Sequence, residues 1–304
     1  RHWGFVDDIE ITLEANPSSV EAARFAELAS AGVNRVSLGL QALDDQVLEF
    51  LGRVHRVDES LAALETAQRH FGRVTIDLIY ARPDQSAAAW DAELARAISF
   101  GTTHMSLYQL TIEPGTRFAT DVAKRQWQPL DDDAAADLYE LTQTRMETAG
   151  LPAYEISNHA APGQESRHNL AYWRYQDYVG VGPGAHGRRT GMATQRHRKP
   201  ENFLSAIERN AHGLHSEIEL DPATQAMEAL LMGLRLREGV DIAALSDRFA
   251  IDSGDLVDWT AVQKLEALEF VNRDGSHLAV TPNGFPLLDA ILPQIVAIEP
   301  TPDA

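Results

Sequence analysis

The sequence predicts an α/β fold in which parallel strands are covered by helices, followed by a smaller α+β domain. Three observations carry this. Strand-like and helix-like segments alternate with short connections from Glu10 to Leu110. Polar residues (Glu14, Gln41, Asp77, Gln109 and Thr111) fall near the C-terminal ends of the strand-like segments, where α/β proteins gather their ligands. After about Leu220 the pattern changes to three helical segments and a hairpin.

Taken in order, Glu10–Glu14 reads as a strand that stops before Asn16-Pro17, since proline cannot join a ladder. Ser18 or Ser19 then caps a helix through Ala31, closed by Gly32. Asn34–Leu40 is the next strand. Asp44 opens a short helix to Leu51-Gly52, and Asp58 caps another that runs to about His70. Val74–Tyr80, the helix Ser86–Ser99 and His104–Leu110 continue the alternation. A long helix follows from Asp131 to Ala149, its aspartates complementing the N-terminal dipole and Gly150 stopping it. Tyr154–Asn158 has the composition of a strand. The strands are apolar and β-branched, as expected where helices cover them. The alternation alone leaves a barrel and an open doubly wound sheet both standing.

Beyond Leu220, helices are expected at Pro222–Arg237, Asp241–Phe249 and Leu256–Leu268, with a hairpin turning at Arg273–Ser276. This is the outline of a winged helix. Lys264 is the single basic residue on its third helix, so a structural or protein-contact role is expected rather than DNA binding. The boundaries predicted are 1–115, 116–215 and 216–304.

Composition narrows the function classes. The 304 residues carry 45 acidic and 26 basic side chains, a formal net charge of −19, which argues against a general nucleic-acid binder. From His186 to Pro200 the balance reverses, with Arg188, Arg189, Arg196, Arg198 and Lys199 and no acid. No apolar run approaches the ~18–20 residues of a membrane span, so a cytoplasmic protein is expected. Cysteine is absent, which removes disulfides and thiolate ligands. The sequence opens on Arg1 and meets a strand by Asp8, so a preceding segment is expected.

Several residues could carry chemistry. Asp77 lies among Val74, Ile76, Leu78 and Ile79, where a carboxylate is costly unless paired or ligand-bound. With Glu14, Gln41 and Arg53 it fits either internal ion pairs and caps or a polar cradle for an amino-acid-like or nucleoside ligand. The run Val179–Gly187 is a tight loop or a close approach to a ligand. In His168-Asn-Leu-Ala-Tyr-Trp173, His168 and Tyr172 share a helical face; they fit a packed core histidine or an axial heme ligand beside aromatics. Trp90 and Trp127 read as packing. His55, His104, His159 and His186 lack the paired spacing of a zinc site.

Six blocks in order resemble one family: Glu10–Pro17, Ala31–Gln41, Leu51–Arg53, Ile76–Tyr80 with Pro83-Asp-Gln85, Tyr108–Gly115, and His168–Trp173 through Gly180–Gly187. They are similar to the HemW-type heme chaperones of the radical S-adenosylmethionine (SAM) superfamily, relatives of oxygen-independent coproporphyrinogen III oxidase. The resemblance implies a partial TIM-type (β/α)6 barrel with a winged-helix-like C-terminal α+β domain. It places SAM contacts at Glu14, Gln41, Arg53, Asp77, Thr111 and His186. It places heme at His168, Asn169, Tyr172 and Trp173, with His168 on the iron. It implies a client heme protein of the respiratory chain, which could be membrane-associated, as recipient. The family's Cys-x-x-x-Cys-x-x-Cys loop, which holds a [4Fe–4S] cluster in the full-length protein, has no counterpart here, nor has its Gly-Gly-Gly-Thr-Pro strand end. Ala81-Arg82 replaces the family's Gly-Leu. The alternatives are the oxidase itself and a cluster-free binding remnant. A grip of the 188–199 segment on heme propionates is expected, against a solvated hairpin.

Overall fold

The structure is a computed structural model and describes residues 4–18 and 22–297. These form two units, one through Glu165 and one from Ser166 onward.

The first unit is built on five strands, β1 (Thr12–Ala15), β2 (Arg35–Gln41), β3 (Arg73–Tyr80), β4 (His104–Gln109) and β5 (Asn158–Ala160), adjacent in that order. The first four are parallel, and β5 runs antiparallel to β4. A doubly wound sheet reverses its strand order at a switch point, whereas a barrel keeps chain order. Chain order is kept, so the architecture is a partial barrel. The connections carry the helices α1 (Phe25–Ser30), α2 (Asp45–Phe50), α3 (Val57–His70), α4 (Ala87–Ile98), α5 (Arg117–Ala123) and α6 (Asp132–Thr148).

Successive strand residues point to opposite faces, and the sequence follows this through most of β2, β3 and β4, with a register shift between Leu38 and Gln41. Val36, Leu38 and Leu40, then Val74, Ile76 and Leu78, then Met105 and Leu107 are buried on one face against Leu64, Trp90, Leu94, Leu138 and Met146 of the helices. Each such side chain contributes about 2 kcal/mol by leaving water. Trp90 stacks on Tyr80 at 4.9 Å, and its indole N–H donates to Thr142 Oγ1 at 2.8 Å. The intervening positions are Arg35, Ser37, Gly39 and Gln41, then Arg73, Thr75 and Asp77, then His104, Ser106 and Tyr108. They form a second, polar face.

Three local expectations are corrected, and a fourth lies in part outside the described residues. Gln109 has the parity of Leu107, so it points into the helical layer and donates to the Ala135 carbonyl at 2.8 Å, away from the polar face. The helix α3 begins before Asp58, because Glu59 accepts the Arg56 N–H at 2.9 Å. Of the strand expected at Tyr154–Asn158, only Asn158 is in one, as the first residue of β5; the chain before it bends back on itself. Tyr154 N–H donates to the Asn158 carbonyl at 3.0 Å and Glu155 accepts from Ser157 and Asn158, local bonds that compete with a ladder. The first helix is described from Phe25 to Ser30, with Gly32 following at φ 110°; the cap expected at Ser19 lies outside the described residues.

The second unit opens with α7 (Arg167–Trp173), then the antiparallel strands β6 (His186–Arg189), β7 (Met192–Arg196) and β8 (Leu214–Glu219), with α8 (Pro200–Asn210) between the last two. The helices α9 (Pro222–Gly233), α10 (Ile242–Phe249), α11 (Ser253–Leu256) and α12 (Trp259–Ala267) follow. The hairpin of β10 (Val271–Asp274) and β11 (His277–Val280) gains the short β9 (Val240–Asp241) as a third strand. This is the winged-helix outline. The single helix expected from Leu256 is split, because Val257 is extended and Asp258 caps α12 by accepting from Thr260 and Ala261. Asp44, Asp131, Asp221, Asp241, Asp252 and Asp258 all cap helices in this way, so part of the acidic excess is structural. Among the described residues, no helix is long and apolar enough to cross a membrane.

Candidate functional site

The polar face of the first unit carries a row of carboxylates and hydroxyls. Glu14 pairs in register with Ser37, and Asp77 with Ser106. Between them, the Ser37 hydroxyl donates to Asp77 Oδ1 at 3.1 Å. Burial pushes the Asp77 carboxyl up to about 6; the Ser106 and Ser37 hydroxyls oppose this and the charge of Glu14 adds to it. A carboxylate held with this deficit of solvation gains from any hydroxyl or cation brought to it.

Gln41 ends β2 with φ 68°, a left-handed conformation reached through a register shift after Leu38. Its amide folds over Gly39, where a Cβ would come within 2.6 Å of Nε2. Glycine here makes room for the amide on the polar face, beside the Ala15 carbonyl at the end of β1. Arg53 follows Gly52 (φ 73°), and His55 holds this segment to the end of β2 through a 3.3 Å bond to the Leu40 carbonyl. The Arg53 Nε is buried and has no hydrogen-bond partner. Thr111 is exposed just beyond β4, where the Leu110 N–H is tied to the Tyr80 carbonyl at 2.8 Å. The structure thus brings Glu14, Gln41 and Asp77 onto one face, with Arg53 anchored at the same edge. His186 belongs to the second unit.

Below the row lies a layer that sequence reasoning passed over. Arg35 donates to Thr75 Oγ1 at 2.7 Å, Arg73 pairs with Glu10, and His104 Nε2 meets the Tyr154 hydroxyl at 2.9 Å. Burial, with the nearby Arg35 charge, holds the His104 imidazole well below its ordinary pKa and hence neutral. Ser37, Ser106 and this layer were legible as a period of two: Arg35-Val-Ser37-Leu-Gly39, Arg73-Val-Thr75-Ile-Asp77 and His104-Met-Ser106 all alternate polar with apolar.

In the second unit, His168 is exposed near the start of α7 and packs edge-on against Tyr172 at 4.6 Å; Tyr172 meets Tyr178 in the same manner at 4.5 Å. Ser166 caps the helix by accepting the Asn169 N–H, and Trp173 at the other end lies 6.0 Å from the Arg235 guanidinium. The histidine is thus a surface residue at the end of an aromatic relay, not a packed core residue.

The glycine run forms a tight loop. A Cβ on Gly180 would stand 1.9 Å from the His186 carbonyl oxygen, and one on Gly187 would stand 2.9 Å from Gly180 N, so the two backbones touch. Gly182 and Gly184 turn the chain at φ 101° and 76°. The basic segment divides in two. Arg188 lies over the Tyr175 ring at 3.4 Å, Arg189 pairs with Glu217 at 2.7 Å, and Arg196 donates to the Gly180 carbonyl at 2.6 Å. Arg198 and Lys199 remain exposed. Trp127 joins Phe50 and Phe118 in a three-ring cluster with centroids 5.0–5.3 Å apart.

Known proteins share this architecture. Residues 5–95 match the radical SAM superfamily model and residues 220–287 the HemN C-terminal domain model. Coproporphyrinogen III oxidase (HemN) from Escherichia coli superposes with a TM-score of 0.78 at 18% identity, covering 94% of this chain and 69% of that one, which shows the shared fold. The chain is therefore a radical SAM-type partial barrel joined to a HemN C-terminal domain. The mitochondrial radical S-adenosyl methionine domain-containing protein 1 of Mus musculus is 39% identical over 242 residues, 77% of this chain and 55% of its own length. The heme chaperone HemW of Escherichia coli is 35% identical over 301 residues, 95% of this chain and 75% of its own. The chain belongs to the family of these two proteins, and it spans little more than half the length of the mouse relative.

The residues present fit some of the family's groups and not others. With no cysteine in the sequence, this chain offers no thiolate to a [4Fe–4S] cluster, and no step through one is derived. The desolvated Asp77, the Gln41 amide folded over Gly39 and the unpaired Arg53 Nε fit the hydroxyl- and carboxylate-bearing parts of SAM. The exposed His168 beside aromatic edges fits heme iron.

Proposed function

We propose that this chain binds heme through His168 and SAM through the polar strand ends, acting as a heme chaperone that passes heme to a client respiratory protein. The observation that carries the reading is the placement of His168: solvent-accessible, and backed by Tyr172 and Tyr178. An imidazole in that setting supplies an axial ligand, and the rings supply contact for a macrocycle without enclosing it, which suits a ligand that must leave again. In the SAM site, Asp77 and Glu14 accept the ribose hydroxyls and the amine, Gln41 fixes the adjoining edge, and Arg53 takes the carboxylate. Thr111 offers backbone contact from the end of β4. Asn169 and Trp173 shape the same helix that presents His168. His186 serves the Gly180–Gly187 loop of the second unit.

Titration with hemin tests the reading. The chain should give a shifted Soret band that His168→Ala abolishes, and the full-length protein should form no protoporphyrinogen from coproporphyrinogen. Oxidative turnover by the full-length protein, or hemin binding indifferent to His168, would favour the oxidase and the binding-remnant readings respectively.

A further inference from the structure

The loop that follows Tyr178 exposes two large apolar side chains, Val179 at 67% and Val181 at 83%, in a unit that buries most of its valines. It is not a slack tip. The Gly180 carbonyl accepts from Arg196 at 2.6 Å, the Gly184 N–H donates to the His197 carbonyl at 2.9 Å, and the Arg196 N–H donates to the Ala185 carbonyl at 2.9 Å. These bonds fasten the apolar loop alongside the chain that ends in Arg198 and Lys199, and a Cβ on Gly184 would lie 3.9 Å from the Arg198 Cα. Arg188, Arg189 and Arg196 are engaged, as described; Arg198 and Lys199 are exposed and make no ion pair among the described residues. At its other end the loop joins Tyr178, two ring contacts of 4.5 and 4.6 Å from His168. Exposed valines held between an aromatic relay and two free cations match a flat, apolar molecule with anionic substituents on one edge.

We propose that Val179 and Val181 form the contact for the outer part of a porphyrin ligated at His168, and that Arg198 and Lys199 take its propionate carboxylates. This rests on the heme reading above and adds to it the element that recognises the carboxylate edge. It also narrows the basic segment from five candidate cations to two.

The test compares hemin with hemin dimethyl ester, whose propionates carry no charge, on the full chain. Wild type should bind hemin about tenfold more tightly than the ester, as two partly exposed charge-assisted contacts allow. Arg198→Glu/Lys199→Glu should lose that preference while keeping the Soret position of the His168 complex, and Val181→Asp should weaken both ligands. The milder Arg198→Gln/Lys199→Gln pair, with an unchanged melting curve, guards against misfolding. Equal hemin affinity in wild type and the charge-reversed pair overturns the proposal. So does loss of binding to phosphatidylglycerol vesicles at unchanged hemin affinity, which would make the tip a membrane contact. If instead His168→Ala leaves hemin affinity and spectrum intact, the heme reading itself has failed, and this subsite with it.

Discussion

The Ser37 hydroxyl donates to the Asp77 carboxylate at 3.1 Å across two adjacent parallel strands, and Glu14 on the next strand pairs in register with the same Ser37. A buried carboxyl so poised is a liability to folding and an asset to binding, and most of what can be tested about the first unit follows from that tension.

Burial raises the Asp77 pKa to about 6 in the fold, above its ordinary 3.8. A group raised in the folded state favours folding fully below its unfolded pKa, and that contribution is lost as pH rises through the folded value. Stability should therefore fall between about pH 4 and pH 6.5 by roughly 2–3 kcal/mol from this residue. Denaturant unfolding across that range checks it. Asp77→Asn should flatten the slope and raise stability at pH 8, while SAM affinity drops about tenfold or more for the lost charged acceptor.

Gly39→Ala separates binding from stability at the same site. The added Cβ meets only the end of the Gln41 side chain, so the amide moves aside. Unfolding free energy should change by less than about 1 kcal/mol, as for other small adjustments outside a packed core. SAM affinity measured by calorimetry should fall, because the displaced amide no longer closes the edge of the site.

Much of this architecture is legible in the residues alone. Asp44, Ser86 and Asp131 cap their helices as their side chains suggest. The strand cores at Val36–Leu40 and Val74–Tyr80 stand where apolar runs put them. What stays hidden is set by tertiary choices. Reading the strands as apolar with few polar interruptions conceals the second face, although the alternation Ser37-Leu-Gly39-Leu-Gln41 spells it out. Gln109 looks like a strand-end ligand, and only its parity with Leu107 sends it to Ala135. The role of Gly39 depends on where the Gln41 amide folds, which no spacing rule contains. Arg196 offers a free charge in the sequence and a loop fastener in the fold.

Ala81-Arg82, the pair that the sequence resemblance sets against a Gly-Leu, follows β3 directly. Ala81 takes φ 54°, and Arg82 is buried in an ion pair with Glu93, which also accepts the Leu43 N–H at 2.8 Å. Removing one partner of a buried pair leaves the other uncompensated. Glu93→Ala should cost about 3–5 kcal/mol, and Arg82→Leu/Glu93→Ala should recover part of it, as a double-mutant cycle would show.

Trp90 contributes through both packing and its indole N–H. Trp90→Ala should cost about 3–5 kcal/mol and Trp90→Phe about 1–2 kcal/mol, the latter from losing the bond to Thr142. Thermal melts of the two variants decide between a packing role alone and the combined role.

The two ligands are assigned to separate units, so each should be removable alone. Hemin and SAM titrations of wild type, His168→Ala and Asp77→Asn form the most direct measurement. The account predicts that His168→Ala loses hemin and keeps SAM, and that Asp77→Asn loses SAM and keeps hemin. Retention of hemin by His168→Ala, or of SAM by Asp77→Asn, at wild-type affinity would contradict it.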